Sequence, residues 1–302
     1  MTSKLKLGQT LFLFLLTLAL TSYLARQLQL MPPQALMTDL ISPNLPPFSQ
    51  GHLFGTDNLG RDLASMLWTG ALGTMAVALT AALSAAFFGY LFGAVSALIG
   101  GIVDNFLMRL VDALLSIPSI ILLLTISALI TAPEFTKLLP DLLLRALSVS
   151  SYSDGLLPFF SVVAAIAATG WLESARVARA LVLKLKEEDY FIAAQSLGAG
   201  SWHLLRQHIL PALVGIALLE ATLLTADAII MESGLSFLGL GLGASTPSWG
   251  SMLRDAQPGL LAGNFWAALL PGLLISTAVI AIHLLCEGYM DTVSHGIRTR
   301  AR

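Results

Sequence analysis

From Leu63 to Val103 the chain carries no Asp, Glu, Lys or Arg. That is longer than the roughly 20 apolar residues one membrane-spanning helix needs. Similar gaps recur at 7–25, 113–133, 155–172 and 256–286, and another at 207–231 is broken only by Glu220 and Asp227. Only 11% of the 302 residues are charged and 56% are hydrophobic. Average soluble domains carry about 25% charge. A surface this poor in charge excludes a soluble enzyme, a disordered chain and a nucleic-acid binder with a basic face. The net charge of −2 gives no field that would draw a polyanion. Cys286 is the one cysteine, which excludes a disulfide framework and a cysteine-based zinc site. An all-α membrane protein remains.

The gaps place six spans near 8–29, 72–99, 107–131, 157–182, 212–234 and 265–287. Lys4 and Lys6 before the first apolar run suggest a signal peptide. The run is longer than the usual ~7–15 residues, and Thr21-Ser22-Tyr23-Leu24-Ala25 offers no clean cleavage site before Arg26. An uncleaved first helix is therefore expected. With both termini cytoplasmic, Lys4, Lys6, Arg109, Arg176, Arg179, Lys184, Lys186, Arg206, Arg298, Arg300 and Arg302 fall inside. Arg26, Arg61, Lys137, Arg145 and Arg254 fall outside. The excess of inside Lys and Arg sets that orientation. The chain divides into a tail and first span (1–31), an outer loop and lead-in (32–71), a core of five spans (72–292) and a cytoplasmic tail (293–302).

Outer residues 31–62 are rich in proline, which resists regular structure, and a loop is expected there. Residues 235–264 are rich in glycine, and 132–156 has room for a short interfacial helix. The inner loop 184–211 differs. It holds the densest charge cluster, yet Phe191, Ala194, Leu197, Leu205 and Ile209 fall near helical spacing. Gly198 and Gly200 divide it into two expected short helices, and Pro211 is expected to open the next span. An ordinary connector needs only a few residues. A loop of this length with its own apolar face fits a docking surface for a cytoplasmic partner.

Tyr190-Phe191-Ile192-Ala193-Ala194-Gln195-Ser196-Leu197-Gly198-Ala199, followed by Ile209-Leu210-Pro211, resembles the EAA loop of ABC-importer permeases. Gly55-Thr56-Asp57-Asn58-Leu59-Gly60-Arg61-Asp62, Met108–Asp112, Ala175–Arg179, Ser236–Gly241 and Pro247-Ser248-Trp249-Gly250 narrow the likeness. It is to the dipeptide, oligopeptide and nickel type, second or "C" permease subunit, over about residues 50–292. The resemblance implies a type I importer permease in the bacterial inner membrane, paired with a second homologous permease. Two cytoplasmic ATPase subunits would carry ATP and magnesium, and an extracytoplasmic binding protein would deliver the solute. The chain would be no enzyme and bind no cofactor. Its lack of a Gly-x-x-x-x-Gly-Lys-Ser/Thr phosphate loop agrees with that division of labour. The implied coupling residues are Tyr190, Ala193, Ala194, Leu197, Gly198, Arg206, Leu210 and Pro211. Arg206 and Lys186 are expected to meet partner carboxylates or anionic lipid. Gly55, Thr56, Asp57, Gly60, Arg61, Asp62 and Trp249 would form the outer-face motif. Ile192 stands where the family has a glutamate, and Glu187, Glu188 and Asp189 are nearby substitutes.

Ionisable groups within spans are costly and mark candidate functional positions. Glu220 and Asp227, seven residues apart, share a helix face, and Glu232 matches a family acid. Either these acids line a pathway favouring cationic solutes, or they bond to neighbouring helices. His283 fits a hydrogen-bonded core residue. Gly89-x-x-x-Gly93 fits close helix packing within the subunit, and Pro118 is expected to kink the third span. The solute is a peptide or, alternatively, nickel or another metal chelate. A secondary transporter lacks a visible repeat, and an intramembrane enzyme lacks a nucleophile motif.

Overall fold

A computed structural model describes residues 3–28, 38–39, 41–132, 134, 156–243, 246–261 and 263–300. Among them the long elements are all helices. They are α1 (Ser3–Gln27), α2 (Leu63–Ile99), α3 (Gly101–Leu115), α4 (Ser119–Thr131), α5 (Leu157–Leu185), α6 (Asp189–Ser196) and α7 (Ser201–Leu204). A π-turn (Leu205–Ile209), α8 (Leu210–Phe237), α9 (Trp249–Asp255), α10 (Gln257–Leu261) and α11 (Trp266–Arg300) follow. Five helical stretches are long and apolar enough to cross a membrane, and the α3–α4 pair makes a sixth if it counts as one broken span.

Three boundaries differ from the charge-gap reading. The lead-in before residue 72 belongs to α2, because Asp62 Oδ2 accepts the Ser65 N–H at 2.8 Å and starts the helix at Leu63. The α3–α4 stretch begins at Gly101 rather than near 107, and its 94° break falls at Pro118, where a kink was expected. Ser116 and Ile117 end α3 before Pro118, which cannot donate to its last turn. The glycine-rich outer stretch carries two short helices, α9 and α10. The expected interfacial helix at 132–156 lies almost wholly outside the described residues.

The chain forms two compact units. The first comprises residues 1–79, 127–163 and 226–302. In it α1 packs along α11, and glycine lets the two backbones meet. A Cβ on Gly8 would stand 2.6 Å from the Leu285 nitrogen, and one on Gly288 would stand 2.6 Å from Leu5 Cα. Small residues at helix crossings are the main device of packing in lipid, where burial alone drives little.

The second unit comprises residues 80–126 and 164–225. Here α2 lies against α5, again through glycine. A Cβ on Gly89 would strike Ser174 and the Trp171 carbonyl, and one on Gly93 would strike the Ala175 carbonyl. The Gly89-x-x-x-Gly93 motif thus serves packing within the chain. Beside this crossing, Tyr90, Ala94, Ala97, Ala178 and Val182 form a core with Phe191, Leu204, Leu205, Ile209 and Leu213. The loop after α5 is thereby seated on the same unit.

Candidate functional site

The 184–211 loop is anchored at one face and bare at the other. Phe191 is 1% exposed, in the core just described. Burying such a ring contributes about 1.5–3 kcal/mol. Helix α6 ends in a Schellman cap. The Ala199 N–H donates to the Ala194 carbonyl at 3.1 Å and the Gly198 N–H to Gln195 at 3.0 Å. Gly198 takes φ +86° to make this cap, with nothing within 4 Å of where a Cβ would sit. The bend is thus the cap itself.

The expected second short helix is not separate. From Trp202 the helix continues into the span as far as Phe237, with one π-turn at Leu205–Ile209. Pro211 sits one residue inside α8 rather than opening it. Its ring supplies no N–H to the Gln207 carbonyl and crowds it, and the widened turn accommodates both effects.

The bare face carries Leu197 at 90% exposure and Trp202 at 71%, with Tyr190, Ile192 and Ala193 also exposed. Glu187, Glu188 and Asp189 are exposed at the start of α6, where acids complement the helix dipole. Arg206 is exposed and Leu210 half-buried. Lys186, expected to face a partner or lipid, instead donates to the Ala97 carbonyl at 2.6 Å at the end of α2.

The in-span acids have three different settings. Glu220 accepts from Tyr90 Oη at 2.6 Å and Ser174 Oγ at 2.8 Å, within the second unit. Asp227 is exposed. Glu232, in the first unit, is fully enclosed and accepts from Ser236 Oγ at 2.6 Å. Nδ1 of His283 bonds to the Val279 carbonyl at 2.9 Å along its own helix, but the residue is exposed rather than in the core as expected. Among the described residues no three His, Cys, Asp or Glu side chains gather where they would hold a metal ion.

The outer-face residues build a brace inside the first unit. Asp57 is 3% exposed. Its Oδ1 accepts the Leu59 and Arg61 N–H groups and its Oδ2 the Arg61 Nε at 2.7 Å. Arg61 Nη2 reaches Asp255 on α9 at 2.8 Å. Burial works against the Arg61 charge, but the hydrogen bonds and charges of Asp255 and Asp57 outweigh it and hold its pKa above the usual arginine value. Thr56 Oγ1 accepts the Leu45 N–H and donates to the Ser42 carbonyl. Gly55 and Gly60 have φ of +78° and +74°, and a Cβ on either would overlap a backbone carbonyl, of Leu45 and Asp39 respectively. Asp62 also pairs with His52 at 2.9 Å.

Trp249 is fully buried. Its Nε1 donates to the Leu67 carbonyl at 3.1 Å and its N–H to Thr74 Oγ1 at 3.1 Å. Gly70 and Gly73 make room on α2 for Pro247, Ser248 and Trp249. Sequence reasoning placed Phe191 on the apolar face of the loop without its anchoring role, and it missed Tyr90, Ser174 and Asp255. The helical spacing of Phe191 with Ala194 was the available signal for its place on the apolar face, while Tyr90, Ser174 and Asp255 are visible only once helices are paired.

Residues 89–291 match the family described as binding-protein-dependent transport system inner membrane component. The dipeptide transport system permease protein DppC of Bacillus subtilis is 32% identical over 89% of this chain and 76% of its own length. The oligopeptide transport system permease protein OppC of the same organism is 33% identical over 86% and 77%. The probable D,D-dipeptide transport system permease protein DdpC of Escherichia coli is 30% identical over 84% and 76%. With its apolar helices and the family match over two-thirds of its length, the chain belongs to the binding-protein-dependent transport system inner membrane components, as a permease subunit of the inner membrane and not an enzyme.

Proposed function

We propose that this chain imports peptides as one of two homologous permeases, drawing energy from ATPase subunits that dock on its 184–211 loop. The observation that carries the docking reading is the two-faced loop. Phe191, Leu204, Leu205 and Ile209 hold it to the permease, while Leu197 and Trp202 project an apolar surface outward. Such a surface, rimmed by Glu187, Glu188, Asp189 and Arg206, suits a protein partner. ATP and magnesium belong to that partner, and hydrolysis there moves the loop. A binding protein delivers the solute on the opposite side, over the segment braced by Asp57, Arg61 and Trp249. Peptide is the preferred solute because the relatives carry dipeptide and oligopeptide names. The nickel alternative has no cluster of ligand side chains among the described residues to support it.

Leu197→Glu tests the docking. Leu197 is almost fully exposed, so the change leaves the fold intact. The variant is expected to reach the membrane at normal levels but to lose ATPase subunits on co-purification. Full retention of those subunits, with solute-stimulated hydrolysis, would sink the docking reading.

A further inference from the structure

Helices α3 and α5 meet in a double-rung contact in the second unit, one rung between the two sequence motifs and one from Asp104, just ahead of the first motif. Met108–Asp112 lies on α3 and Ala175–Arg179 on α5. The outer rung, Arg176 to Asp112, is 3.5 Å long with both side chains more than half exposed. Exposed pairs of that kind contribute little. The inner rung differs in kind. Arg179 Nε donates to both Asp104 oxygens at 2.8 and 3.0 Å, and Nη2 adds a bond to Oδ2 at 2.7 Å. The Asp104 side chain is only 6% exposed. Ser96 Oγ of α2 donates to the same carboxylate at 2.8 Å. Three donor groups, the Nε–H shared between both oxygens, the Nη2–H and the Ser96 hydroxyl, therefore converge on one enclosed acid.

The position of this acid gives it a task. Gly100, the one residue between α2 and α3, and Gly101, the first of α3, have φ of +68° and +62° and no atom closer than 4.0 Å to where a Cβ would sit at either. Two adjacent left-handed glycines in open space are a joint with little resistance of its own. Asp104 lies in the first turn beyond that joint. It is held from one side by α2 through Ser96 and from the other by α5 through Arg179. One residue past α5, Lys186 binds the Ala97 carbonyl of α2. Phe191 of α6 is buried in one cluster with Ala94 and Ala97 of α2 and Ala178 and Val182 of α5. The end of α2, the start of α3, α5 and the docking loop are thus fastened at one level.

The geometry points to Asp104 and Arg179 as a positioning pair that makes α3 follow the docking loop, so that movement imposed on the loop reaches the spans rather than dissipating at Gly100–Gly101. This rests on the docking reading above. The fork of an arginine is suited to the task, because it fixes orientation as well as distance.

The test uses the intact transporter, purified with its partner subunits and reconstituted in vesicles. ATP hydrolysis and solute uptake are measured together in Arg179→Ala, Arg179→Lys and the near-isosteric Asp104→Asn. All three are expected to keep their ATPase subunits and hydrolyse ATP within about twofold of the parent. Uptake per ATP in Arg179→Ala is expected to fall about tenfold, within the range typical of coupling between sites. Arg179→Lys restores part of the loss, and Asp104→Asn gives an intermediate loss in a carboxamide that still accepts from Ser96. Unchanged uptake per ATP in Arg179→Ala overturns the proposal. So does a proportional loss of hydrolysis and uptake in all three, since that is the mark of damaged folding. Leu197→Glu, measured alongside, separates the readings: retention of ATPase subunits there defeats docking, whatever Arg179 does.

Discussion

Arg61 ties the outer loop to α9. Arg61 bridges Asp57, four residues back, and Asp255, on α9. Removing one partner of a largely enclosed pair costs about 3–5 kcal/mol. Arg61→Ala is expected to lower the detergent-solubilised melting temperature clearly. Arg61→Lys is expected to recover little, because one ammonium cannot reproduce a fork reaching two carboxylates. The raised pKa of Arg61 gives a stability contribution that is full below the unfolded value and lost only as pH rises through the still higher folded one. Thermal scans should therefore show no loss traceable to this side chain between about pH 5 and pH 9. Glu220 and Asp227 divide similarly by setting. Glu220 is engaged by Tyr90 and Ser174, whereas Asp227 is exposed. Glu220→Gln is expected to reduce thermal stability with equal effects on uptake of cationic and neutral peptides. Asp227→Asn is expected to lower uptake of cationic peptides selectively, by several-fold. Competition assays with matched lysine and glutamine peptides distinguish the two. Sequence spacing grouped these acids on one face; only the neighbours on α2 and α5 separate them, and a seven-residue interval carries no information about neighbours.

At the scale of elements, charge gaps read the spans well because a lipid-facing surface tolerates few ions over a length fixed by the bilayer. They read bends and helix starts poorly. The 94° break between α3 and α4 left a charge-free run unbroken from 113 to 133, and its sequence signal is Pro118 rather than charge. The start of α2 at Leu63 depends on a cap by Asp62 that a hydropathy profile counts only as polar. Helix pairing leaves a fainter sequence trace, in glycine. Gly8 and Gly288 lie where α1 and α11 meet backbone to backbone, yet nothing in either segment names the other. Gly8→Leu is expected to separate these helices, and limited proteolysis of α1 measures the separation. Faster cleavage than in the parent is expected, and identical rates would show that α1 is held by other contacts. The 184–211 loop was legible for a different reason. Charge and apolar spacing coincide there as they do nowhere else in the chain, and its bare face is the part that folding within one subunit leaves unused.

For the molecule as a whole, orientation in the membrane decides which surface meets which partner. Eleven Lys and Arg residues fall on one side and five on the other when both termini are cytoplasmic, as counted from the sequence, and the positive-inside bias favours that arrangement. Counting α3–α4 as one broken crossing gives six spans, which returns the chain to the side where it began. The single cysteine makes this directly measurable. Cys286 is buried, and Cys286→Ser provides a thiol-free background. A cysteine at Leu197, 90% exposed on the docking loop, is expected to react with a membrane-impermeant maleimide only in inverted vesicles. One at Phe48, 81% exposed in the outer loop, is expected to react only in right-side-out spheroplasts. Labelling of both positions from the same side would mean that the stretch between them crosses an even number of times. In that case α3–α4 would turn back as a re-entrant pair, and the docking loop and the Asp57–Arg61 brace would face one compartment. Labelling from opposite sides places the 184–211 loop and the Asp57–Arg61 brace in different compartments, the arrangement that the proposed import, with ATPase subunits on one side and a binding protein on the other, requires.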